Sequence, residues 1–314
     1  MTRQPKVLLK FLGISLDETK PVSIDFAVLC GAMAALLGNE KSAAKTLAEY
    51  AAGFKSPLIG KVVTGRSMAP ATSSEGKRSS GFISSKIAAP PNMTIKGCIS
   101  LAVTAQGNDK AKSKSITDQL INWLQLEDIQ QSRVKDLSIP ETQRCSMAIA
   151  MTSNPELLVV DCPVHYSLFD KLKTFSEAGN TVLFRASSLG EIPPGVERIA
   201  LCNENGICVT VRHSELSEFT KGGAEISASF FPSLPREQLE SIEGIRNLMH
   251  NEGKFKFSHA DTSYAILQLV HIARANSRVI VDLNLSSIPP EVLIKLLNPD
   301  NTAPSKTDLF GPTG

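Results

Sequence analysis

No run of eighteen consecutive apolar residues occurs in the 314-residue chain, so no segment is expected to cross a membrane as a helix. The longest apolar stretch, FAVLCGAMAALLG (26–38), has only the length of a buried core segment. The first residues, MTRQPKVLLKFLG, lack both a long apolar stretch and a cleavage site, so a secretory signal is not expected. A strong charge of one sign is absent too. With 33 basic and 31 acidic side chains the formal net charge is +2, which gives no footing for nucleic acid or an anionic membrane surface. The six cysteines (Cys30, Cys98, Cys145, Cys162, Cys202, Cys208) include no C-x-x-C pair. Neither a zinc site nor a disulfide framework is therefore expected, and they read as buried free thiols in a reducing compartment. The five histidines match no metal or triad template, and His165 reads as a structural or solvated loop residue. What remains is an apolar content of 42%, enough for a sizeable core in one large or two ordinary domains.

Along the chain, KVLLKFL (6–12) and PVSIDFAV (21–28) read as strands. The run AALLG (34–38) leads through the polar NEKSAA into KTLAEYAAG, a helix stopped at Gly53. Strand, glycine turn, helix is the setting of a phosphate-binding loop. The stretch GKVVTGRSMAPATSSEGKRSSG (60–81), rich in Gly, Ser and Lys, reads as surface loop. SITDQLINWLQL (115–126) has helical spacing and holds the sole tryptophan, Trp123, expected in core packing. SIPETQRCSMAIAMTSNPE (138–156) reads as a loop entering a helix, with Pro140 suited to the first turn. NPELLVVDCP (154–163) reads as a buried strand ending in Asp161 and Cys162. An amphipathic helix (SLFDKLKTFSEAG), a strand (NTVLFRASS) and two strands around an NENG turn follow. After about residue 214 short strand and helix patterns alternate, from EISASFF to PPEVLIKLL, as in a small α+β domain.

Taken in order, these segments resemble the nucleotide-binding domain of ABC transporter ATPases over roughly residues 6–212. The resemblance is densest in LSIPETQRCSMAIAMTSNPELLVVDCP (137–163), which is similar to the family's signature loop, the helix behind it and the Walker B strand. NTVLFRASSLGEI falls where the family's switch strand stands, and the last part resembles the small domain appended to exporter-type members. The fold class implied is α/β: a P-loop NTPase-like ABC nucleotide-binding domain over 1–213, a small C-terminal α+β domain over 214–297, and a flexible tail over 298–314.

Carried over residue by residue, the resemblance implies a degenerate site. A phosphate loop wraps backbone N–H groups around phosphates, with glycines, a lysine and a Ser/Thr hydroxyl on magnesium. In GNEKSAAKT (38–46) Gly38 is kept, Ala44 falls at the lysine position, and Lys45 and Thr46 follow. Read instead as the lysine–hydroxyl pair, Lys45 and Thr46 make the loop one residue too long. Asp161 matches the magnesium-side aspartate, while Cys162 stands at the general base, Ser85 at the glutamine and Ser187 at the switch histidine. In the signature Ser138 is kept, Pro140 has no N–H to offer, and Glu141 would repel a phosphate. Removing single stabilising groups of this kind typically costs ~10²–10³ in rate.

The resemblance therefore implies a non-catalytic subunit with no catalytic residue, no metal site and no expected cofactor, ATP and magnesium being bound weakly if at all. It would pair with a second ABC ATPase subunit, identical or different, and with a membrane permease. Its place would be cytoplasmic, peripheral to the inner face of the membrane through those partners, without insertion of its own. Two other readings stand beside it: a slow or atypical ATPase using Lys45, Thr46 and Asp161, and a cytoplasmic scaffold reusing the fold. The LLVVD strand by itself would also suit any doubly wound α/β protein.

Overall fold

The computed structural model describes residues 6–16, 23–214, 225–251, 253–259 and 262–286. Strands β1 (Val7–Ser15), β2 (Ile24–Leu29), β4 (Ile59–Thr64) and β5 (Ala69–Pro70) form an antiparallel sheet in the order β2-β1-β4-β5. The central sheet has six strands, ordered β10-β9-β3-β8-β7-β6. Here β3 is Met33–Leu37, β6 Ser80–Ser84, β7 Leu157–Asp161, β8 Thr181–Ala186, β9 Arg198–Asn203 and β10 Gly206–Arg212. All neighbours are parallel except the β9–β10 hairpin.

Strand β3 (MAALL) and the first four residues of β7 (LLVV) are apolar without interruption because both their faces are covered. Alternate residues serve opposite cores. Met33, Ala35, Leu37, Leu158, Val160, Val182 and Phe184 pack with Ile95, Ile99, Met147, Leu168 and Leu172. These last come from α3 (Ile95–Ala105), α5 (Ile139–Ala150) and α6 (Tyr166–Glu177). Ala34, Leu36, Leu157, Val159 and Leu183 pack the other way, with Leu47 and Ala48 of α1 (Ala44–Ala51) and with Leu8, Phe11 and Phe26 of the antiparallel sheet. The apolar run 26–38 is thus two strands in different sheets, separated at Gly31, whose φ of +79° suits glycine. Trp123, the last residue of α4 (Lys110–Trp123), is partly buried against the first core, with the Lys171 ammonium 5.6 Å from its ring centroid.

The expectation of a surface loop over 60–81 is corrected. The stretch carries β4, β5, α2 (Ser74–Ser79) and the start of β6. Val62 and Val63 are buried, and β4 pairs with β1 along its length. Polar residues flanking two valines hid a strand whose partner lies near the chain's start.

Beyond residue 224 the elements are β11 (Glu225–Phe231), α7 (Arg236–Glu240), β12 (Arg246–Asn251), β13 (Lys254–Ser258), α8 (Thr262–Ala275) and β14 (Val279–Ser286). Their antiparallel sheet, ordered β12-β13-β11-β14, has the split βαββαβ arrangement of ferredoxin-like folds. It has a core of its own, built from residues such as Ile226, Ala228, Phe230, Phe255, Phe257 and Leu269. β12 has no apolar alternation, since five of its six residues are exposed, and so it was not foreseen. PPEVLIKLL and the stretch 298–314 lie outside the described residues.

Candidate functional site

Strand register brings the candidate residues to one edge. Leu37 pairs with Ala186 and Leu201, Val160 with Phe184, and Ser84 with Asp161. Gly38, Ser85, Cys162 and Ser187 therefore leave the sheet at nearly one level, outside the carboxyl ends of parallel strands. That crevice is where α/β sheets place their sites. Ala44, Lys45 and Thr46 follow as the first turn of α1. Ser138 and Pro140 sit apart, at the start of α5.

The loop between β3 and α1 is closed by its own bonds. Asn39 receives the Lys41 N–H on Oδ1 at 2.9 Å and the Ser42 N–H on its carbonyl at 3.0 Å. The Ala43 N–H goes to the Asn203 carbonyl at 2.8 Å, and the Ala44 N–H to the Ser42 hydroxyl at 3.4 Å. That hydroxyl itself donates to the Asn39 carbonyl at 2.7 Å. A Cβ added to Gly38 would stand 2.2 Å from Ser42 Oγ and 2.7 Å from the Cys202 carbonyl oxygen, so the loop is pressed onto β9. Ala44 is buried, whereas Lys45 is exposed. A shallow cavity of about 270 Å³ beside the loop is lined, among the described residues, by Asn39, Cys202, Asn203, Glu204 and Asn205, none of them cationic.

At the end of β7, Asp161 forms an ion pair with Nε of Arg185 on β8. Both side chains are 16% exposed. Arg185 Nη1 also donates to Ser187 Oγ at 3.2 Å, and the Ser187 N–H donates to Glu191 at 2.8 Å. Arg185 went unnoticed in the sequence, although one cation in the apolar run TVLFRA was a signal that it met a carboxylate. Cys162 is buried, and burial pushes its thiol up to about 11, with the Asp161 charge acting the same way and Arg185 opposing. The thiol is therefore held protonated and supplies no base near neutral pH.

At the start of α5, Glu141 Oε2 accepts from the Ser138 hydroxyl at 2.6 Å and from the Ser138 N–H at 2.7 Å. These bonds, the hydroxyl's first, hold the Glu141 carboxyl below the usual range. One turn on, buried Gln143 donates to the Pro163 carbonyl at 2.6 Å and accepts the His165 N–H at 2.9 Å. The loop after β7 is thereby tied to the start of α5, a link that no sequence pattern marked. His165 caps α6 and pairs with the Ser167 hydroxyl at 2.9 Å, a structural role. Ser85 is exposed.

Residues 22–165 match the family model described as ABC transporter. Among curated relatives, the sulfate/thiosulfate import ATP-binding protein CysA of Mycobacterium tuberculosis is 29% identical over 141 residues, 45% of this chain and 40% of that protein. The Nod factor export ATP-binding protein I of Rhizobium etli is 21% identical over 192 residues, 59% of this chain and 61% of that protein. The matched stretch thus spans less than two thirds of either relative. Among solved structures, cbiO1 from Clostridium perfringens, part of the ABC transporter complex cbiONQ, superposes with a TM-score of 0.56 at 16% identity. It covers 68% of this chain and 91% of cbiO1. The ADP conformation of MJ1267, an ATP-binding cassette of an ABC transporter, gives a TM-score of 0.55 at 15% identity, covering 67% and 92%. The fold is therefore that of an ABC transporter ATP-binding domain. Among the described residues no helix is long and apolar enough to cross a membrane.

Proposed function

We propose that this chain is a non-catalytic ABC ATPase-like subunit that pairs with an active ATPase subunit and docks on a membrane permease. Its role is structural or regulatory, in a complex at the inner face of the membrane. The observation that carries this reading is the loop after β3, where each backbone N–H from Lys41 to Ala44 already has a partner inside the protein.

Magnesium-ATP is the cofactor this fold implies, and the residues present do not fit it. A phosphate cradle needs free N–H groups and a cation, but here the N–H groups from Lys41 to Ala44 are already engaged and a buried alanine methyl, Ala44, stands in the lysine's place. Asp161 is neutralised by Arg185, and the thiol of Cys162 is protonated. No step of hydrolysis is routed through this cleft.

The division into an ATPase-like domain over 1–213, an α+β domain over 214–297 and a tail over 298–314 belongs to the same proposal. The named relatives serve import as well as export, so an exporter-type assignment rests on the C-terminal unit alone.

The test is a thermal-stability titration with magnesium-ATP alongside a turnover assay. The expected result is no turnover and no shift at millimolar nucleotide. Specific binding at 100 times the dissociation constant would add about 2.7 kcal/mol. A shift without turnover makes the subunit a nucleotide-gated regulator, and turnover abolished by Asp161→Ala overturns the non-catalytic reading.

A further inference from the structure

We infer that Arg185 is a built-in counter-ion that holds the place of a divalent cation at Asp161, closing the cleft to metal. The inference deepens the non-catalytic reading and takes its functional meaning from it.

Asp161 ends β7, and Arg185 lies on the neighbouring parallel strand, one residue beyond the Val160–Phe184 pair. A carboxylate this buried needs a compensating positive charge, from solvent or from the protein. Here the guanidinium supplies it. Nε donates to Asp161 Oδ1, and Nη1 to Ser187 Oγ. The guanidinium thus spans the space between the carboxylate at the end of β7 and the hydroxyl after β8, both oxygens of the kind a hard cation takes.

Magnesium demands oxygen ligands at about 2.0–2.1 Å in near-octahedral array. An ion approaching Asp161 would meet a fixed positive charge and an oxygen already engaged. Cys162 adds no oxygen, and among the described residues no three His, Cys, Asp or Glu side chains gather to hold a metal. An arginine stays charged at any physiological pH, so the block is permanent rather than switched.

The test uses the full chain, labelled with ¹⁵N, and manganese(II) alone as a paramagnetic probe. The backbone amide signals of Cys162 and Ser187 report local binding and separate it from ions scattered on surface carboxylates. In the wild type these signals are expected to broaden no sooner than those of the general surface. In Arg185→Met they should reach half-broadening at a manganese concentration at least about tenfold lower, as expected when a like charge is removed at close range. Adding Asp161→Asn to Arg185→Met should return the wild-type response.

The inference is overturned if the wild type already broadens these signals in an Asp161-dependent way, or if a folded Arg185→Met gains nothing. Should Arg185→Met fail to fold, Arg185→Gln keeps a neutral donor toward Asp161 and is read by the same criteria. Melting temperatures give a second readout. Asp161→Asn alone strands a buried charge, so it should melt lower than the double variant Asp161→Asn/Arg185→Met. Equal melting points count against the pair. Magnesium-ATP turnover by the wild type would sink the non-catalytic reading, yet the manganese signals would still decide the role of Arg185.

Discussion

The side chain of Gln143 accepts the backbone N–H of His165 at 2.9 Å, so the second turn of α5 holds the loop that follows β7. The same amide donates to the Pro163 carbonyl at 2.6 Å. One buried side chain thereby satisfies two main-chain groups of a loop that has no sheet or helix partner for them.

Gln143→Ala should remove both bonds from a partly exposed loop, at a cost of about 1–2 kcal/mol. The urea midpoint of the purified chain should fall accordingly. Gln143→Glu should recover none of the Pro163 bond, because a carboxylate has no N–H to donate. An unchanged midpoint for the alanine variant would show that water replaces the amide and that the tie is not structural.

Gly38→Ala should destabilise the fold by about 1–3 kcal/mol, the usual penalty of overpacking. The added carbon meets Ser42 Oγ at 2.2 Å and the Cys202 carbonyl oxygen at 2.7 Å. Adding Ser42→Gly should recover only part of the loss, since the carbonyl remains. Full recovery in thermal melts would mean that the loop is not pressed onto β9.

Cys162 should resist alkylation in the folded chain. With its thiol pushed up to about 11, roughly one molecule in a thousand is a thiolate at pH 8. Iodoacetamide followed by peptide mass spectrometry should label Cys30, which is only partly buried, well before Cys162. Equal rates would mean the loop after β7 opens readily. Cys162→Glu should not produce magnesium-ATP turnover, because the N–H groups from Lys41 to Ala44 and the Asp161 carboxylate stay engaged. Restored turnover would make Cys162 the one missing group.

Glu141 should make stability depend on pH in one direction. Its carboxyl is lowered in the fold by the Ser138 hydroxyl and N–H, so the folded chain favours the charged form. Its contribution is complete above the ordinary carboxylate range and is lost as the pH falls through the lowered folded-state value. Near pH 7, Glu141→Ala should cost about 1 kcal/mol, the ordinary worth of a helix cap, reduced by solvent screening. The gap between wild type and variant in thermal melts should shrink below roughly pH 4. A gap that widens on acidification would assign the stabilisation to packing instead.

Some of this was open to reading from residue order. LLVV (157–160) and VLF (182–184) are apolar without a break, as strands covered on both faces require, and they lie in β7 and β8. Pro140 marked the first turn of α5 because a proline there forfeits no helical bond. The stretch 60–81 misled, since composition cannot show that Val62 and Val63 face β1 across a sheet. β12 was invisible for a related reason: its residues are paired through the backbone while their side chains stay exposed.

The sequence by itself determined the buried strands and the amphipathic helices of the central layer, and the order in which Gly38, Asp161 and Ser187 reach the ends of their strands. Periodicity carries that information, because burial on one or both faces is a local demand on side chains. Only the tertiary structure decided what those residues meet. That the Ala43 N–H is taken by the Asn203 carbonyl, and that Asp161 is met by Arg185, depends on which strands lie side by side and in what register. Hydrogen bonds and ion pairs are short-ranged, so their partners are set by packing and not by spacing along the chain.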